Sequence, residues 1–464
     1  MQLRYNNLDA LRGYAIFTMI LSGSISYGSS MPAWMFHAQV PPPNHQFNPN
    51  LPGITWVDLV FPFFIFCMGA AIPIAMRKCA EINDIKSVIS TAVRRFFLLT
   101  FFALFLEHFK YSRISSTPSS TTYLLSLVSF FLLLFSFSKF GTYLTNKAGK
   151  IINYSALLVA IACLAFMPLN NGDGFKIGTS DIIIIVLANM ALFGTLIWWF
   201  TRNNSIIRIG ILLFVMGVFL GSKAVGSWNE VFYNLTPAAE IYKFYFLKYL
   251  FILIPGTIAG DWLLQKNDIN QYEIKNNTSF KLFGLILFSI IVANVYFLFT
   301  RMLVLNLIVT ISLLLVGELV INKIKLGNQK LVEQFFYAGV FSLLLGLTFE
   351  AYEGGIKKDF STYSYYFVTV GLAFFSFIAL SILPIFPIGK KVHRFMILSG
   401  QNPMMVYVTG SLFLLPIMQL TGLKLYWDNM NNSFFLGFMK GLIFTIVACS
   451  ITMPFTKKGM IWKS

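Results

Sequence analysis

The stretch 55–76 reads TWVDLVFPFFIFCMGAAIPIAM, an apolar run that contains one charged residue, Asp58. A helix needs about 20 predominantly apolar residues to cross the hydrocarbon core of a bilayer, and this run is long enough. Inside lipid, every backbone N–H and C=O must be satisfied within the chain, which leaves helices or a closed barrel. Because the run is continuous rather than alternating, it predicts a membrane-spanning helix.

The rest of the chain has the same character. Of its 464 residues, 57% are hydrophobic and only 11% are charged, whereas a soluble domain carries roughly 25% charged residues. The composition therefore predicts an all-α polytopic protein whose surroundings are the lipid bilayer, with about 14 spans. The predicted spans are residues 9–27, 55–76, 94–109, 121–138, 151–169, 181–200, 206–222, 244–264, 280–299, 302–321, 335–349, 363–384, 400–420 and 433–453.

Positive charge is distributed unevenly between the predicted loops. The chain has 35 Lys and Arg and a formal net charge of +17. With the N-terminus in the cytoplasm, most of these cations fall in cytoplasmic loops, as the positive-inside rule requires. Their position in short loops between apolar runs also argues against a nucleic acid partner. We expect a multi-pass protein of the cell (inner) membrane with a cytoplasmic N-terminus.

The first predicted outside loop, residues 28–54, differs from the others. It contains no Lys or Arg, is rich in proline and aromatic residues, and carries His37 and His45, two of the four histidines. Loops of this length are uncommon unless they are functional or disordered. No other segment has the composition of a separate soluble domain, and no internal repeat is evident. The sequence therefore predicts one domain over residues 1–464, with 28–54 as its exoplasmic functional loop.

Few side chains in the sequence are candidates for catalysis or ligand binding, and each of them also has an ordinary structural role. No P-loop, Rossmann glycine motif or zinc-ligand spacing is present, so no metal is expected. A loop histidine such as His37 is weak evidence on its own. Asp58 either caps the helix that it opens or orients an imidazole. Arg12 lies close to the membrane core and requires a partner or a ligand, and Asp9 precedes it by three residues.

Several short motifs occur in a characteristic order along the chain. They are Leu8-Asp9-Ala10-Leu11-Arg12-Gly13, His37-Ala38, Gly53 with Thr55, Asp58-Leu59-Val60-Phe61-Pro62-Phe63-Phe64, Gly69, residues 357–365 (KKDFSTYSY), Gly400-Gln401-Asn402-Pro403, Val406-Tyr407, and Lys457-Lys458 with Ile461-Trp462-Lys463. This order resembles the heparan-alpha-glucosaminide N-acetyltransferase family and its bacterial relatives. The N-terminal block is the most specific part of the resemblance.

The resemblance implies a ten-helix core, with residues 181–222 and 280–321 as two inserted helical hairpins. It also implies a transmembrane acetyltransferase that moves acetyl from cytosolic acetyl-CoA to an amino sugar or other glycan on the opposite side. The family's active histidine corresponds to His37, in the loop 28–54. A thioester carbonyl needs a deprotonated nucleophile and a stabilised oxyanion, so His37 is expected to act as general base or as acetyl carrier.

Five further residues are candidates for supporting roles. Asp58 would fix the tautomer of His37, and Asn402 would donate a hydrogen bond to the acyl carbonyl. Arg12, Arg94 and Arg95 are candidates for binding the CoA phosphates, because guanidinium binds phosphate bidentately. The alternative for the three arginines is that they are ordinary charges that set the topology.

The chain also departs from the family pattern. Gly23 stands where the family has a functional asparagine, and the segment between His37 and Asp58 is about eleven residues longer. The family's Asp-Pro-Glu-Gly motif is absent, and Thr236-Pro237-Ala238-Ala239-Glu240 is the nearest segment. The identity of the acceptor and the choice between N- and O-acetylation therefore stay open, as do the retention of activity and the formation of a homodimer.

Three other functions compete with this interpretation. A transporter would suit the helix count and the basic cytoplasmic face, and Glu318 is the kind of residue it would use, but no duplicated halves are evident. A second family of membrane acyltransferases places a histidine about eleven residues after its first-helix arginine, where this chain has Gly23. The third alternative is a non-catalytic relative that binds CoA or a glycan.

Overall fold

The computed structural model describes residues 5–27, 31–139, 145–266 and 277–462. Residues 28–30 of the predicted loop, and Lys463 of the C-terminal motif, lie outside these ranges. The described chain is helical, and its only β-pairs are the isolated bridges Ser138–Trp462 and Ala238–Tyr242. This architecture confirms the prediction of an all-α polytopic membrane protein.

Fifteen long helices organise the described residues, and shorter helical turns connect some of them. The long helices are α1 (Asn6–Ser24), α2 (Trp56–Glu81), α3 (Ile85–His108), α4 (Ser120–Phe137), α5 (Asn146–Phe166), α6 (Ile182–Thr201), α7 (Ser205–Gly221), α8 (Leu250–Lys266), α9 (Thr278–Thr300), α10 (Leu303–Ile321), α11 (Gln329–Tyr352), α12 (Tyr363–Ser381), α13 (Pro387–Gln401), α14 (Pro403–Leu420) and α15 (Phe434–Lys457). The shorter helices and turns are Ala33–Met35, Tyr111–Ile114, Asn170–Gly172, Trp228–Tyr233, Phe244–Tyr249, Leu383–Ile385, Leu423–Asp428 and Asn429–Asn432.

Every predicted span corresponds to a helix. Twelve helical segments in the described ranges are long and apolar enough to cross a bilayer. The two remaining predicted spans correspond to α1 and to α7, a shorter apolar helix. The segments 181–222 and 280–321 each hold two consecutive helices, and their status as insertions stays a prediction.

Several boundaries differ from the predicted ones, and three of the differences are the result of charged residues. The prediction began spans at residues 94 and 335, but α3 begins at Ile85 and α11 begins at Gln329. In both cases charged residues in the first turns lower the hydropathy without interrupting the helix. The basic segment before residue 400 was expected to be a loop and is the amphipathic helix α13, which Asn402 separates from α14 by its non-helical backbone.

The contacts between residues divide the chain into two compact units. The first consists of the described parts of Met1–Ile74, Phe251–Gln401 and Met430–Ile443, and it contains the loop that follows α1. The second consists of the described parts of Ala75–Leu250, Asn402–Asn429 and Phe444–Ser464.

In the first unit, α12 is the central helix, packed between α11 and α9, with Tyr365, Tyr366 and Phe375 fully buried. The helix α1 packs along α13 at very short range. A Cβ at Gly13 would overlap the Met396 backbone, and a Cβ at Gly400 would overlap the Asp9 backbone. Small residues that permit backbone-to-backbone approach are typical of helix contacts in membranes.

In the second unit, α3 packs on α6 and α4 packs on α5. The carboxylate of Asp181 caps α6 by accepting from the N–H of Ile183, and its other oxygen accepts from the Tyr407 hydroxyl at 2.8 Å. The C-terminal Trp462 is buried, and its ring stacks on the ring of Phe137. Aromatic packing of this kind fixes the end of the chain on the helices of this unit.

Candidate functional site

The candidate site begins at the N-terminus of α2, where Thr55 and Asp58 form a capping arrangement. The first N–H groups of a helix have no intrahelical partner, and side-chain oxygens near the helix start satisfy them. The Thr55 hydroxyl accepts from the N–H of Val57 at 3.2 Å. In return, Oδ2 of Asp58 accepts from the N–H of Thr55 at 2.9 Å and from the N–H of Ala38 at 3.2 Å. The carboxylate of Asp58 is therefore fixed by two backbone groups, one from the residue that precedes α2 and one from the loop that carries His37.

The second oxygen of Asp58 faces the loop histidine. Nδ1 of His37 lies 2.6 Å from Oδ1 of Asp58, within strong hydrogen-bond distance. An ionised carboxylate is an acceptor only, so the proton of this hydrogen bond belongs to Nδ1. We therefore assign the imidazole the tautomer in which Nδ1 carries the hydrogen and Nε2 carries the lone pair.

The two side chains differ in how deeply they are buried. The side chain of Asp58 is 2% exposed, whereas that of His37 is 35% exposed. The carboxylate is thus inside the fold, where a Tyr365 hydroxyl also donates to the Asp58 carbonyl at 2.8 Å. The imidazole lies at the surface of the site, so a bound molecule has access to it. A buried carboxylate that orients a more accessible imidazole is the arrangement used by general bases and nucleophilic histidines.

A lysine completes the cluster. Nζ of Lys358 lies 3.2 Å from Nε2 and 3.3 Å from Nδ1 of His37. The two ring nitrogens flank Cε1, and each lone pair or hydrogen points outward in the ring plane. A point nearly equidistant from both nitrogens cannot lie along either outward direction. The ammonium of Lys358 therefore lies against the ring, off the outward axis of Nε2, and leaves the in-plane approach to Nε2 open.

The loop that carries Lys358 is bound to the loop that carries His37. The side-chain carbonyl of Gln39 accepts from the N–H of Asp359 at 2.8 Å, and its amide donates to the Asp359 carbonyl. A second contact joins the N–H of Gly53 to the Ile356 carbonyl at 2.8 Å. Gly53 has φ +134°, which residues with a Cβ rarely adopt. These contacts fix Lys358 relative to His37.

Two glutamates also bind the loop that carries Lys358, which connects α11 to α12. The buried Glu350 pairs with Arg301 and accepts from the N–H of Ile356 at 3.3 Å. Glu353 accepts from the N–H groups of Tyr363 and Ser364, each at 2.8 Å, and so satisfies the free N-terminus of α12. The segment between α11 and α12 is therefore held at both ends by carboxylates.

The other three histidines have different surroundings. His45 packs between the rings of Tyr27 and Phe36, and its two nitrogens are buried without a hydrogen-bond partner. His108 is saturated by the Leu104 carbonyl and the N–H of Lys176. His393 is buried on α13. Among the four, His37 alone lies against a carboxylate in the residues that the structure describes.

Asn402 belongs to the second unit and is fully buried. Its amide nitrogen donates to the Met460 carbonyl at 3.1 Å, and its oxygen accepts from the N–H of Trp462 at 3.1 Å. The side chain thus joins the start of α14 to the C-terminal tail. Its expected role as a donor to the acyl carbonyl stays a prediction.

Arg12 uses its guanidinium within the first unit. It donates to Oδ1 of Asp9 at 3.2 Å, to the Gly400 carbonyl at 3.3 Å and to the Cys67 carbonyl at 3.5 Å. These bonds connect α1, α13 and α2, and they supply the partners that an arginine within apolar helices requires. Its binding of CoA phosphates stays a prediction.

Arg94 and Arg95 lie on α3 in the second unit, Arg94 exposed and Arg95 half-buried. No group of three His, Cys, Asp or Glu side chains suited to a metal ion occurs in the described parts of the chain. Gly23, at the family's asparagine position, lies exposed in the last turn of α1, and a Cβ there would meet nothing within 4 Å.

Sequence reasoning assigned no role to Lys358 or Gln39. Lys358 is 321 residues from His37 along the chain, and nothing in its local sequence distinguishes it from Lys357. Its place in the KKDFSTYSY motif was the one available signal. Gln39 lies two residues after His37, but its importance follows only from the distant loop that it binds.

The sequence profile of one family, described as "Domain of unknown function (DUF5009)", matches residues 4–263, more than half of the chain. The chain belongs to this family. A comparison with curated proteins gives no match. The DUF5009 match includes Arg12, His37, Gln39 and Asp58, and it ends before Lys358.

Proposed function

We propose that this DUF5009 protein is a membrane acetyltransferase that moves acetyl from cytosolic acetyl-CoA to an amino sugar or other glycan on the exoplasmic side. The observation that carries the proposal is the 2.6 Å contact between Nδ1 of His37 and the buried carboxylate of Asp58. It occurs at the histidine that the resemblance to heparan-alpha-glucosaminide N-acetyltransferases selects. We place the protein in the cell (inner) membrane.

The carboxylate of Asp58 prepares the imidazole for chemistry at Nε2. With the hydrogen held on Nδ1, the lone pair of Nε2 is directed away from Asp58. Asp58 also stabilises the positive charge that develops on the ring when Nε2 takes a proton or an acyl group, as the carboxylate of a catalytic triad does. Because Oδ2 is held by two backbone N–H groups, the carboxylate keeps its position during the reaction.

Two routes use this imidazole. In the direct route, Nε2 removes the proton of the acceptor while the acceptor attacks the thioester carbonyl. In the two-step route, Nε2 attacks the carbonyl, releases CoA thiolate, and carries acetyl to the acceptor. A mass increase of one acetyl group on the peptide that contains His37, after exposure to acetyl-CoA without acceptor, would identify the second route.

The arginines near the predicted cytoplasmic side are candidates for binding acetyl-CoA, the acetyl donor. Arg94 is exposed on α3 in a segment with Lys86 and Arg95, and guanidinium groups bind phosphate well. Arg94 and Arg95 would bind the CoA phosphates, and Arg12 is a third candidate.

The test is acetyl transfer by purified protein. Wild type should release CoA from acetyl-CoA in the presence of glycan acceptors, and His37→Ala should abolish this release without lowering the thermal midpoint. Asp58→Asn should lower kcat by about 10²–10⁴-fold, because an asparagine amide no longer enforces the productive tautomer. Asp173→Asn, at an exposed carboxylate, is the matched control and should be as active as wild type.

Wild-type protein that neither binds acetyl-CoA nor shows His37-dependent turnover would contradict the acetyltransferase. In that case uptake of a solute by reconstituted vesicles would favour the transporter. Binding of CoA or a glycan without turnover would favour the non-catalytic relative.

A further inference from the structure

The Lys358 ammonium is close enough to the imidazole to take part in the reaction together with the histidine–aspartate pair. The ammonium is 3.2 Å from Nε2 and 3.3 Å from Nδ1, so it lies against the ring and off the in-plane direction of the Nε2 lone pair. A carbon that approaches Nε2 must come along that in-plane direction. The ammonium therefore does not block the reacting atom, and it lies next to the space that an incoming acyl group enters.

An acyl carbon bound to Nε2 has its oxygen either toward Cε1 or toward Cδ2. The Cε1 orientation turns the oxygen back toward the space between the two ring nitrogens, and the Lys358 ammonium is within 3.3 Å of both nitrogens. An ammonium at this place is a charged hydrogen-bond donor for the oxygen, and such donors are strongest where negative charge develops. We propose that Lys358 is a catalytic residue that stabilises the oxyanion formed from the thioester carbonyl, a role that rests on the proposed acetyltransferase.

The step balances without any further reactant. In the two-step route the Nε2 lone pair forms the C–N bond, and the carbonyl π electrons move to oxygen, which accepts hydrogen bonds from the Lys358 ammonium. The oxyanion collapses, the C–S bond breaks, and its electron pair leaves on the sulfur of CoA. The acceptor then attacks the acyl carbon, and the C–N bond electrons return to Nε2. Nε2 takes the proton that the acceptor loses and passes it to water, while the CoA thiolate takes one proton from water. Lys358 keeps its proton throughout, and in the direct route it serves the same oxygen.

The fold holds this ammonium in place rather than leaving it on a free surface loop. The backbone of the next residue, Asp359, is bound on both its N–H and its C=O by the Gln39 side chain. The N–H of Lys357 donates to the Thr362 hydroxyl at 3.0 Å. A donor that is positioned before the reaction needs no reorganisation when the oxyanion forms, which is the basis of its effect on rate.

A purely structural role makes a different prediction. In that case Lys358 would only pair electrostatically with the Asp58–His37 cluster, and its removal would lower stability without a selective effect on the chemical step. An oxyanion donor affects kcat and leaves the KM for acetyl-CoA nearly unchanged, because the interaction exists only in the transition state. The division between kcat and KM therefore distinguishes the two roles.

The experiment compares Lys358→Met with Lys357→Met. Both remove one positive charge from the same loop, but only Lys358 has its ammonium at the imidazole. With acetyl-CoA as donor and CoA thiol release as the readout, Lys358→Met should lower kcat by about 100-fold or more, the usual loss for one oxyanion donor. The KM and the thermal midpoint should stay close to wild type, and Lys357→Met should have the wild-type kcat.

Conservative and polar replacements keep the test decisive if the Met variant does not fold. Lys358→Arg retains charged donors and should keep kcat within about tenfold of wild type, while Lys358→Gln should fall about 100-fold. Lys358→Met or Lys358→Gln with wild-type kcat, measured beside an inactive His37→Ala, would overturn the role of Lys358 and leave the acetyltransferase standing. Wild-type protein without His37-dependent turnover would contradict both the role of Lys358 and the proposed acetyltransferase.

Discussion

At the scale of single residues, the two oxygens of Asp58 have separate functions. Oδ2 accepts from the backbone N–H groups of Thr55 and Ala38, and Oδ1 contacts His37. From the sequence, a helix cap and an imidazole partner were alternative roles for this carboxylate. The geometry shows that the two contacts coexist, because a carboxylate has acceptor sites on both oxygens. The cap makes the histidine contact more rigid.

A second residue, His393, predicts a pH dependence of stability. Burial lowers the pKa of its imidazole to about 4, below the ordinary value near 6.5. Between these values the unfolded chain binds a proton that the folded chain does not, so stability falls as the pH drops from about 6.5 toward 4. At pH 5 the loss is about 2 kcal/mol, because each pH unit in this window costs about 1.4 kcal/mol.

The measurement is the thermal midpoint of purified protein in detergent at pH 7.5 and pH 5. The midpoint of wild type should fall between these values, and His393→Leu should show a smaller fall because it has no imidazole to protonate. An equal fall in both proteins would mean that other groups cause the acid sensitivity.

At the scale of helices, α1 and α13 touch through their backbones, and this contact carries a prediction. Gly13→Leu should lower the thermal midpoint strongly, because the added atoms would overlap the Met396 backbone. Gly23→Leu on the same helix is the control, since a Cβ there meets nothing within 4 Å. Size-exclusion profiles and thermal midpoints in detergent measure both. Equal midpoints for the two variants would contradict the close packing of α1 on α13.

The helices were predictable from the sequence to different degrees. Continuous apolar runs such as 55–76 specify a spanning helix, because lipid admits few other structures. Hydropathy does not detect helical turns that carry charge, so the first turns of α3 and α11 were missed. For the same reason α13, with Lys390, Lys391 and Arg394, was expected to be a loop. Its amphipathic pattern is present in the sequence, but average hydropathy does not detect it, because the pattern appears only at the helical period.

At the scale of the whole molecule, the distribution of Lys and Arg predicts which loops face the cytoplasm. In a background with Cys79 and Cys163 replaced by serine, Asn44→Cys should react with a membrane-impermeant maleimide in intact cells. Lys86→Cys, also exposed, should react only after the membrane is permeabilised. The reverse pattern would place His37 in the cytoplasm and contradict transfer to an exoplasmic acceptor.

The candidate site was only partly predictable at this scale. His37 and Asp58 lie 21 residues apart in one motif block, so the sequence could suggest the pair. Lys358 comes from a loop 321 residues away from His37, and only the packing of the first unit brings it to the imidazole. A single sequence does not record such long-range proximity, because helix packing, and not local pattern, determines it.

The tether between Gln39 and Asp359 has a consequence for changes of length in the loop that carries His37. Upstream of residue 40 the chain is fastened by Gln39, and downstream it is fastened again where Gly53 meets Ile356. Part of the stretch between these two points is bound back to Gln39, because the N–H of Asn48 donates to the Gln39 carbonyl at 2.9 Å and the Gln39 side-chain amide donates to the Pro49 carbonyl at 3.2 Å. We therefore expect a change of length between residues 40 and 44 to leave both fastening points, and with them the relative positions of His37, Asp58 and Lys358, in place.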